Sequence, residues 1–337
     1  MKKNIIIAIR YSIIQKNSAS WRAAELSFED YANKILSNER LNIREQTFKS
    51  LTLKSLCNQI NTDKNVTYTV LIMVSDMLPE GRIDRLRSMI NENNISGLDF
   101  KIVKIDSGTG LMHDHININE AIKATIKRNL ANLPEALLAT VRLDDDDGLS
   151  TNFIEKLSHH MRPGLTGYAV SFAYGVEGYW DSAANTVSDL KHSYFPKSAF
   201  GLAYLNAWSQ IRGLEDNKTI HVYNMGNHMK IDENYPTIVD ATEPMYFRTL
   251  SSTNDSVGSP YHKNLPSIKG KNTLSNFGYL VDLHTEQSLP DYEDIKSLEI
   301  CKSSSPWMAL ITHLNNRIQL REKQIRELTA RLEGNKP

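Results

Sequence analysis

The chain has 337 residues, enough to bury a sizeable core in one large domain or two smaller ones. Basic and acidic residues number 39 each, and the resulting zero net charge excludes nucleic-acid binding through a strong overall positive field. Cys57 and Cys301 lie far apart in the sequence and predict free thiols in a reducing cytoplasm rather than a disulfide framework or a zinc site. Since no apolar run approaches the roughly 20 residues that span a bilayer, we expect a soluble protein.

The first half of the chain alternates between apolar strand patterns and helix patterns. Strands are predicted at 4–10, 67–75, 100–105 and 137–143, and helices at 28–61, 81–91 and 113–130. Two helix faces are predicted to be buried, one formed by Phe48, Leu51, Leu53, Leu56 and Ile60, the other by Ile116, Ile118, Ala121, Ile122 and Ile126. This alternation predicts a mainly parallel central sheet with helices on both faces.

After residue 150 the alternation weakens. A helix is predicted from Thr151 to His160, with Ser150 or Thr151 as its N-cap. Short strands are predicted at 167–174, 219–223, 238–239 and 245–250, and loops at 175–184 and 253–273.

The C-terminal segment has a different pattern, with a spacing of alternately three and four residues. The positions are Ile311, Leu314, Ile318, Arg321, Ile325, Leu328 and Leu332, six of them apolar. This spacing predicts a coiled-coil helix over 307–333 that joins copies of the chain or binds a partner. The alternative is a helix that packs on its own domain.

Four consecutive carboxylates, Asp144–Asp147, follow the predicted strand 137–143 directly. Such a cluster repels itself unless a cation or a hydrogen-bond network offsets the charge, and oxygen ligands favour Mg²⁺ or Mn²⁺. An EF-hand calcium loop fails in both possible registers. A loop that starts at Asp144 has Leu149 where Gly is needed, and a loop that starts at Leu143 has Ile154 where Glu is needed. An aspartyl phosphatase would have a hydroxyl residue where this chain has Gly148. The remaining interpretation is the Asp-X-Asp of a GT-A-type nucleotide-sugar glycosyltransferase, in which a divalent ion bridges carboxylates and the donor diphosphate.

Three stretches of the sequence carry a resemblance to a known family. They are Arg44–Gln59, which ends in Ser-Leu-X-X-Gln, the strand Val70–Ser75 with Leu78 and Pro79, and Arg-X-Asp-X-Asp-Asp at Arg142–Asp147. In these stretches the chain resembles the bacterial "putative rhamnosyltransferase" family, which is similar to GT-A glycosyltransferases, over roughly residues 1–255. The family's usual asparagine in the cluster is replaced here by Asp145, and the C-terminal coiled coil lies outside the family pattern.

The resemblance implies a GT-A-like (Rossmann-like) α/β domain over residues 1–300, with a central mainly parallel sheet flanked by helices. Residues 1–150 would form its nucleotide-binding half and 151–300 its acceptor half, followed by the coiled-coil helix at 307–333. By position, Asp144 is assigned to the nucleotide ribose and the metal, and Asp146 to the metal. Asp147 is assigned either to the donor sugar or to a supporting contact with the metal ligands, and Arg142 either to the diphosphate or to a structural pair with the cluster. His228 is the candidate for completing the metal shell.

Further candidates come from loops and strand ends. Arg10 and Ser12 follow the first strand, at the edge where open α/β sheets bind ligands, and with Trp21 are candidates for contact with a nucleotide or phosphate. For the general base that an inverting transferase needs, Asp181 and Glu243 are the candidates, with Asp240 and Asp255 as open alternatives.

These assignments predict an Mn²⁺- or Mg²⁺-dependent glycosyltransferase with a nucleotide-sugar donor, rhamnose being one option for the sugar. A glycan or lipid-linked acceptor, a role in bacterial surface polysaccharide synthesis and a cytoplasmic location at or near the inner membrane face are expected. We also expect self-association or partner binding through the coiled coil. Two alternatives stay open: a non-catalytic assembly protein, and a sugar-phosphate nucleotidyltransferase, which the absence of glycine from residues 1–30 disfavours.

Overall fold

The computed structural model describes residues 1–14, 27–94, 98–251 and 265–283, with positions 262, 318, 321, 322, 325 and 326. In these residues the strands are β1 Lys2–Tyr11, β2 Val66–Ser75, β3 Asp99–Ile105, β4 Glu135–Asp144, β5 Gly148–Leu149, β6 Ala169–Phe172, β7 Tyr174–Asp181, β8 Thr186–Tyr194, β9 Leu202–Ser209, β10 Gly213–Leu214, β11 Thr237–Asp240 and β12 Tyr246–Leu250. The α-helices are α1 Phe28–Ile35, α2 Asn38–Thr47, α3 Lys54–Cys57, α4 Glu80–Asn93, α5 Ile118–Leu130, α6 Phe153–His160 and α7 Gly278–Val281. A π-helical segment, Phe48–Leu53, joins α2 to α3, and short 3₁₀ helices lie at Pro163–Leu165, Val222–Met225, His228–Glu233 and Lys271–Leu274.

The central sheet has the strand order β11-β6-β9-β4-β1-β2-β3, with β10 paired to β9. Strands β4, β1, β2 and β3 run parallel, β9 is antiparallel to both β4 and β6, and β11 is parallel to β6. This confirms the prediction of a mixed α/β fold with a mainly parallel central sheet. Because parallel strands end at the same edge, the residues that follow β1, β2, β3 and β4 lie along one edge of the sheet.

The core lies on both faces of the central strands. Ile5, Ile7 and Ile9 of β1 pack on one face with Phe48 and the helices α2 to α4 and α6, while Ile6 packs on the other face with α5. All four isoleucines are completely buried, and burial of each contributes about 1.5–3 kcal/mol. A strand covered on both faces reads as a continuous apolar run rather than as an alternating one, which is why β1 was predictable.

A second sheet, with the order β5-β12-β7-β8, packs beside the central one, and its β7–β8 hairpin replaces the loop predicted at 175–184. The prediction was wrong because two glycines in β7 gave a turn signal. They serve close packing instead: a Cβ at Gly175 would lie 2.5 Å from a ring carbon of Tyr246, and one at Gly178 would lie 2.8 Å from Cδ2 of Leu190.

The predicted helix 28–61 is divided into α1, α2, the π-helical segment and α3. The start of α1 and the break before α2 follow local capping, since Ser27 and Ser37 each accept a hydrogen bond from a backbone N–H of the helix that follows. Ile60 and Ile116 were predicted to be buried, but are 48% and 61% exposed because they lie outside α3 and α5.

Two further local predictions differ from the structure. Residues 219–223 were predicted as a strand, but Val222–Met225 forms a 3₁₀ helix. The residue before α6 is Asn152 rather than Ser150 or Thr151, and its side chain makes no capping hydrogen bond.

The predicted coiled coil at 307–333 lies outside the described residues except for five helical positions, and the predicted loop 253–273 is described only in part. In the described residues, no helix is long and apolar enough to cross a membrane. The division into two halves at residue 150 stays a prediction, and strands from both sides of that point share the central sheet.

Candidate active site

One carboxylate lies between two guanidinium groups at the carboxyl edge of the central sheet. Arg10 and Asp144 are register partners on β1 and β4, and Arg10 Nη2 lies 3.0 Å from Asp144 Oδ1. Arg142 Nη2 lies 3.6 Å from the other oxygen, Oδ2. Burial alone would raise the pKa of Asp144, but the charges of Arg142 and Arg10 hold that pKa well below its ordinary value. This group therefore carries two positive charges and one negative charge.

Tyr223 and His228 lie beside this group. The guanidinium carbons of Arg10 and Arg142 lie 5.6 and 5.7 Å from the centre of the Tyr223 ring, within cation–π range. His228 Nδ1 donates to the carbonyl oxygen of Lys197 at 2.6 Å, which leaves Nε2 as the acceptor of the neutral ring. Burial lowers the pKa of His228, and the charges of Arg142 and Arg10 act in the same direction.

Arg44 holds the next two aspartates. Its Nη1 lies 2.9 Å from Asp145 Oδ1 and 2.7 Å from Asp146 Oδ2, and all three side chains are buried. Burial and repulsion from the neighbouring carboxylates outweigh the charge of Arg44, so that the pKa of Asp146 rises to about 6 and that of Asp145 also rises. Asp145 Oδ2 is buried without a hydrogen-bond partner among the described residues.

Asp147 and Gly148 are held by the C-terminal half of the chain. Asp147 Oδ1 accepts a hydrogen bond of 3.0 Å from the backbone N–H of Thr249, and burial raises the pKa of Asp147 well above its ordinary value. The Tyr279 hydroxyl donates to Leu149 O at 3.1 Å, and its ring carbon Cζ would lie 3.1 Å from a Cβ at position 148. Position 148 therefore accommodates only glycine beneath this ring.

The Ser-Leu-X-X-Gln motif explains how the aspartate loop is anchored. Gln59 Nε2 donates to Ser150 O at 2.7 Å and to Ser55 O at 2.8 Å, and Gln59 Oε1 accepts from Ile154 N at 3.1 Å. Thr52 Oγ1 donates to Asp145 O at 3.1 Å. The segment from Arg44 to Gln59 thus binds the backbone of the aspartate loop and of the start of α6 through its side chains.

The remaining predicted site residues have local partners. Ser12 is buried in a left-handed conformation with φ +49°, and its hydroxyl lies 3.4 Å from Arg40 Nη1. Glu243 forms an ion pair with Lys156 and accepts from the amides of Asn152 at 3.0 Å and Asn276 at 3.1 Å.

Asp181, the second candidate base, accepts from two backbone N–H groups in the β7–β8 turn, at 2.9 and 3.0 Å. The alternative Asp240 is paired with His160 Nε2 at 3.1 Å. Trp21 and Asp255 lie outside the described residues. The roles assigned to all these residues stay predictions.

The predicted metal ligands Asp144, Asp146 and His228 lie among charged partners. Asp144 is held by Arg10 and Arg142, and Asp146 by Arg44. Their role as metal ligands stays a prediction. In the part of the chain that the structure describes, one trio of metal-binding side chains brings its ligand atoms within 4.8 Å of one another, and that trio is Asp76, Asp106 and His113.

Two residues of the site were not identified from the sequence. Arg44 is the first residue of a stretch that carries the family resemblance, so the sequence did contain a signal for it. Its pairing with Asp145 and Asp146 was not predictable, because these residues lie about one hundred positions further along the chain. Tyr223 lies in a segment without a motif, and no sequence signal marks it.

Comparison with known proteins gives one family. The family described as "Putative rhamnosyl transferase" matches residues 4–263, which is most of the chain. The chain belongs to this family. No curated protein matches it.

Solved structures similar to the chain are distant from it. S. aureus TarS is 12% identical over 76% of this chain and 38% of that chain, with a TM-score of 0.31, and TarS 1-349 is 12% identical over 74% and 60%, also with 0.31. The mannosyltransferase PcManGT from Pyrobaculum calidifontis, solved with GDP-Man and Mn²⁺, is 11% identical over 100% of this chain and 82% of that chain, with a TM-score of 0.34. The chain thus spans 38% of the length of TarS.

Proposed function

We propose that the chain is a metal-dependent glycosyltransferase that moves a sugar from a nucleoside-diphosphate donor to a glycan or lipid-linked acceptor. The observation that carries this proposal is the group formed by Arg10, Arg142 and Asp144 at the carboxyl edge of the sheet. Ligands of open α/β sheets bind at this edge, and the group has one positive charge in excess. A diphosphate is a ligand whose charge and oxygen geometry suit two guanidinium groups.

Asp144 has a positioning role in this proposal. It accepts from Arg10 and faces Arg142, so both guanidinium groups are held in place before the donor binds. Preorganised positive charge stabilises a leaving diphosphate without the cost of reorganisation during the reaction. Tyr223, which lies against both guanidinium groups and donates to Ala8 O at 3.0 Å, restricts their movement further.

A divalent ion fits the chemistry of the buried carboxylates Asp145 and Asp146. Their pKa values are raised by burial and mutual repulsion, and Asp145 Oδ2 has no hydrogen-bond partner among the described residues. Both features favour a cation beside these oxygens, for which Mn²⁺ or Mg²⁺ is the hard-ligand choice. When bound there, the ion would supply charge neutralisation of the diphosphate.

The finer assignments remain part of the proposal. Rhamnose is the sugar that the family description suggests, and surface polysaccharide synthesis at the cytoplasmic side of a bacterial membrane is the setting we propose. Of the two candidate bases, Asp181 lies on an exposed turn, whereas Glu243 is held by Lys156 and two amides. A base must exchange a proton with the acceptor, so we favour Asp181 over Glu243.

The test is a panel of nucleoside-diphosphate sugars, rhamnose donors included, with Mn²⁺ and with a chelator, read by nucleotide release and thermal shift. We expect Arg142→Gln to lower the release rate by about 100-fold or more, the loss seen when one preorganised donor is removed. Asp146→Asn should lose the response to Mn²⁺. Arg87→Gln, which removes an exposed ion pair with Asp84, is the matched control and should behave like the wild type.

The proposal fails if no nucleotide sugar stabilises the wild type and Arg142→Gln is indistinguishable from it. Donor binding without turnover would favour the alternative of a degenerate transferase in an assembly protein. Release of pyrophosphate from a nucleoside triphosphate and a sugar phosphate would favour a nucleotidyltransferase.

A further inference from the structure

Three polar side chains come together at the ends of β2 and β3, on the far side of β1 from Asp144. Asp76 and Asp106 each follow their strand directly, and because β2 and β3 are parallel neighbours the two residues lie side by side. Asp76 N donates to Ile105 O at 3.0 Å. The loop after β3 folds back on its own strand, where Asp106 N donates to His115 O at 3.0 Å, and this return brings His113 to the two aspartates.

The geometry of this trio is that of a ligand set. Asp76, Asp106 and His113 each offer an atom, and these atoms lie within 4.8 Å of one another. His113 Nδ1 is 3.8 Å from Asp106 Oδ1. Lys104, a neighbouring cation, is engaged with Glu80 at 2.6 Å.

A second observation points to a ligand. Asp76 is only 7% exposed, and its Oδ1 accepts from Ser107 N at 3.2 Å. Its other oxygen, Oδ2, is buried without a hydrogen-bond partner among the described residues. A buried carboxylate oxygen in this state is costly, and a cation would satisfy it.

We propose that Asp76, Asp106 and His113 form a divalent-cation site separate from the Asp144–Asp147 cluster. Two carboxylates and one imidazole suit Zn²⁺, Mn²⁺ or Co²⁺, with the remaining positions open to water. Strand β1 separates β2 from β4, and at about 4.8 Å per strand the two sites lie on the order of 10 Å apart. The two sites can therefore be occupied, and removed by mutation, independently of each other.

The consequence of the site is local order. A bound ion links the end of β2 to the loop 106–117, which contains Gly108 and Gly110 at φ +85° and +78° and places Leu111 and Met112 on the surface. Such a link restricts the loop independently of the proposed sugar transfer, because none of its ligands belongs to the Arg10–Asp144 group.

The experiment titrates chelator-treated full-length protein with Co²⁺, read by the visible absorption of nitrogen-ligated cobalt and by calorimetry, and then displaces Co²⁺ with Zn²⁺. His113→Gln should weaken one binding event by at least about tenfold, the loss that removal of even an outer partner of a metal ligand causes. Asp106→Asn should do the same. His115→Gln, a histidine of the same loop outside the trio, should titrate like the wild type. His113 is partly exposed, so its variant is expected to fold, which circular dichroism checks.

The Asp146→Asn variant separates the two sites, since it should keep the Co²⁺ absorption that His113→Gln loses. Hydrogen exchange of residues 106–117 should slow when Zn²⁺ is added to the wild type and not when it is added to His113→Gln. Identical titrations of the wild type, His113→Gln and Asp106→Asn would overturn the proposal. It is also overturned if Asp76→Asn weakens nucleotide binding while the Co²⁺ titration is unchanged, because the trio would then contact an organic ligand.

Discussion

Gln59 connects the segment before β2 to the loop that carries the aspartates. Its amide makes three hydrogen bonds, to Ser55 O, Ser150 O and Ile154 N. We expect Gln59→Ala to lower the free energy of unfolding by about 1–3 kcal/mol, because buried backbone groups lose their partners. Chemical denaturation measures the loss. Asn58→Ala is the matched control, since the exposed amide of Asn58 binds only within its own helix, and an equal loss in both variants would contradict this role.

Arg44 neutralises part of the negative charge of the buried aspartate cluster, so its removal should make the effect of that charge on stability measurable. We expect Arg44→Met to lower the unfolding free energy at pH 8 by about 3–5 kcal/mol, since it removes the guanidinium group that pairs with both Asp145 and Asp146. At pH 5, below the pKa of about 6 for Asp146, the folded state takes up a proton there and the loss should be smaller.

The measurement for Arg44 is denaturant unfolding of the variant and the wild type at both pH values. Arg87→Met, which breaks an exposed pair, should cost less than about 1 kcal/mol at either pH. A loss for Arg44→Met that does not change between pH 5 and pH 8 would show that packing rather than charge is responsible.

At the scale of elements, the short helix α7 covers the aspartate loop through one tyrosine. Gly148→Ala should displace the Tyr279 ring, with a loss of about 1–3 kcal/mol and weaker donor binding, because the added methyl group occupies the place of the hydroxyl. Tyr279→Phe in the same chain should recover part of the loss. The control is Gly164→Ala, where no atom lies within 4 Å of the added Cβ. Failure of the double variant to recover would contradict the clash.

For the whole molecule, stability should depend on pH through a buried neutral histidine. Burial, with the charge of Lys123 acting in the same direction, lowers the pKa of His221 to about 4, and neither ring nitrogen has a hydrogen-bond partner among the described residues. Below about pH 6.5 His221 is protonated in the unfolded chain, whereas in the folded chain it stays neutral until about pH 4. Stability therefore falls as the pH drops through this window, by up to about 1.4 kcal/mol per pH unit.

His221→Leu removes this titration, so its unfolding free energy should fall less steeply than that of the wild type between pH 6.5 and 4. The raised pKa values of the buried aspartates act with the opposite sign, but they are common to both proteins and cancel in the difference. Parallel denaturation series at several pH values measure the two slopes, and equal slopes would refute the assignment.

We expect assembly of the whole chain to depend on the segment predicted as a coiled coil. Two of its positions, Ile318 and Ile325, are helical, one heptad apart, and 56% and 62% exposed. We expect deletion of residues 307–337, or Ile318→Lys with Ile325→Lys, to lower the number of chains per particle, obtained from light scattering as the measured mass divided by the chain mass, while the domain remains folded. Arg326→Ala is the control. An unchanged number of chains per particle for the deleted protein would show that the helix does not join copies.

The amino-acid sequence alone determined the central strands and the place of the aspartates. Strands β1, β2 and β4 are covered on both faces, so each reads as a local apolar run, and the end of such a run places Asp144 at the ligand-binding edge. These features depend on about ten neighbouring residues, and the family motif adds the segment from Arg44 to Gln59. Local patterns were misleading where glycine serves packing, as in β7.

Only the tertiary structure decided which side chains meet. Arg44 binds aspartates about one hundred residues away, and Tyr223 lies against Arg10 and Arg142. His113, in the loop after β3, lies close to Asp76 at the end of the neighbouring strand β2. Such contacts depend on strand order and on how loops pack, which is set by burial summed over the whole chain. For this reason the sequence determines where the charges lie along the chain, whereas the fold determines which of them are neutralised.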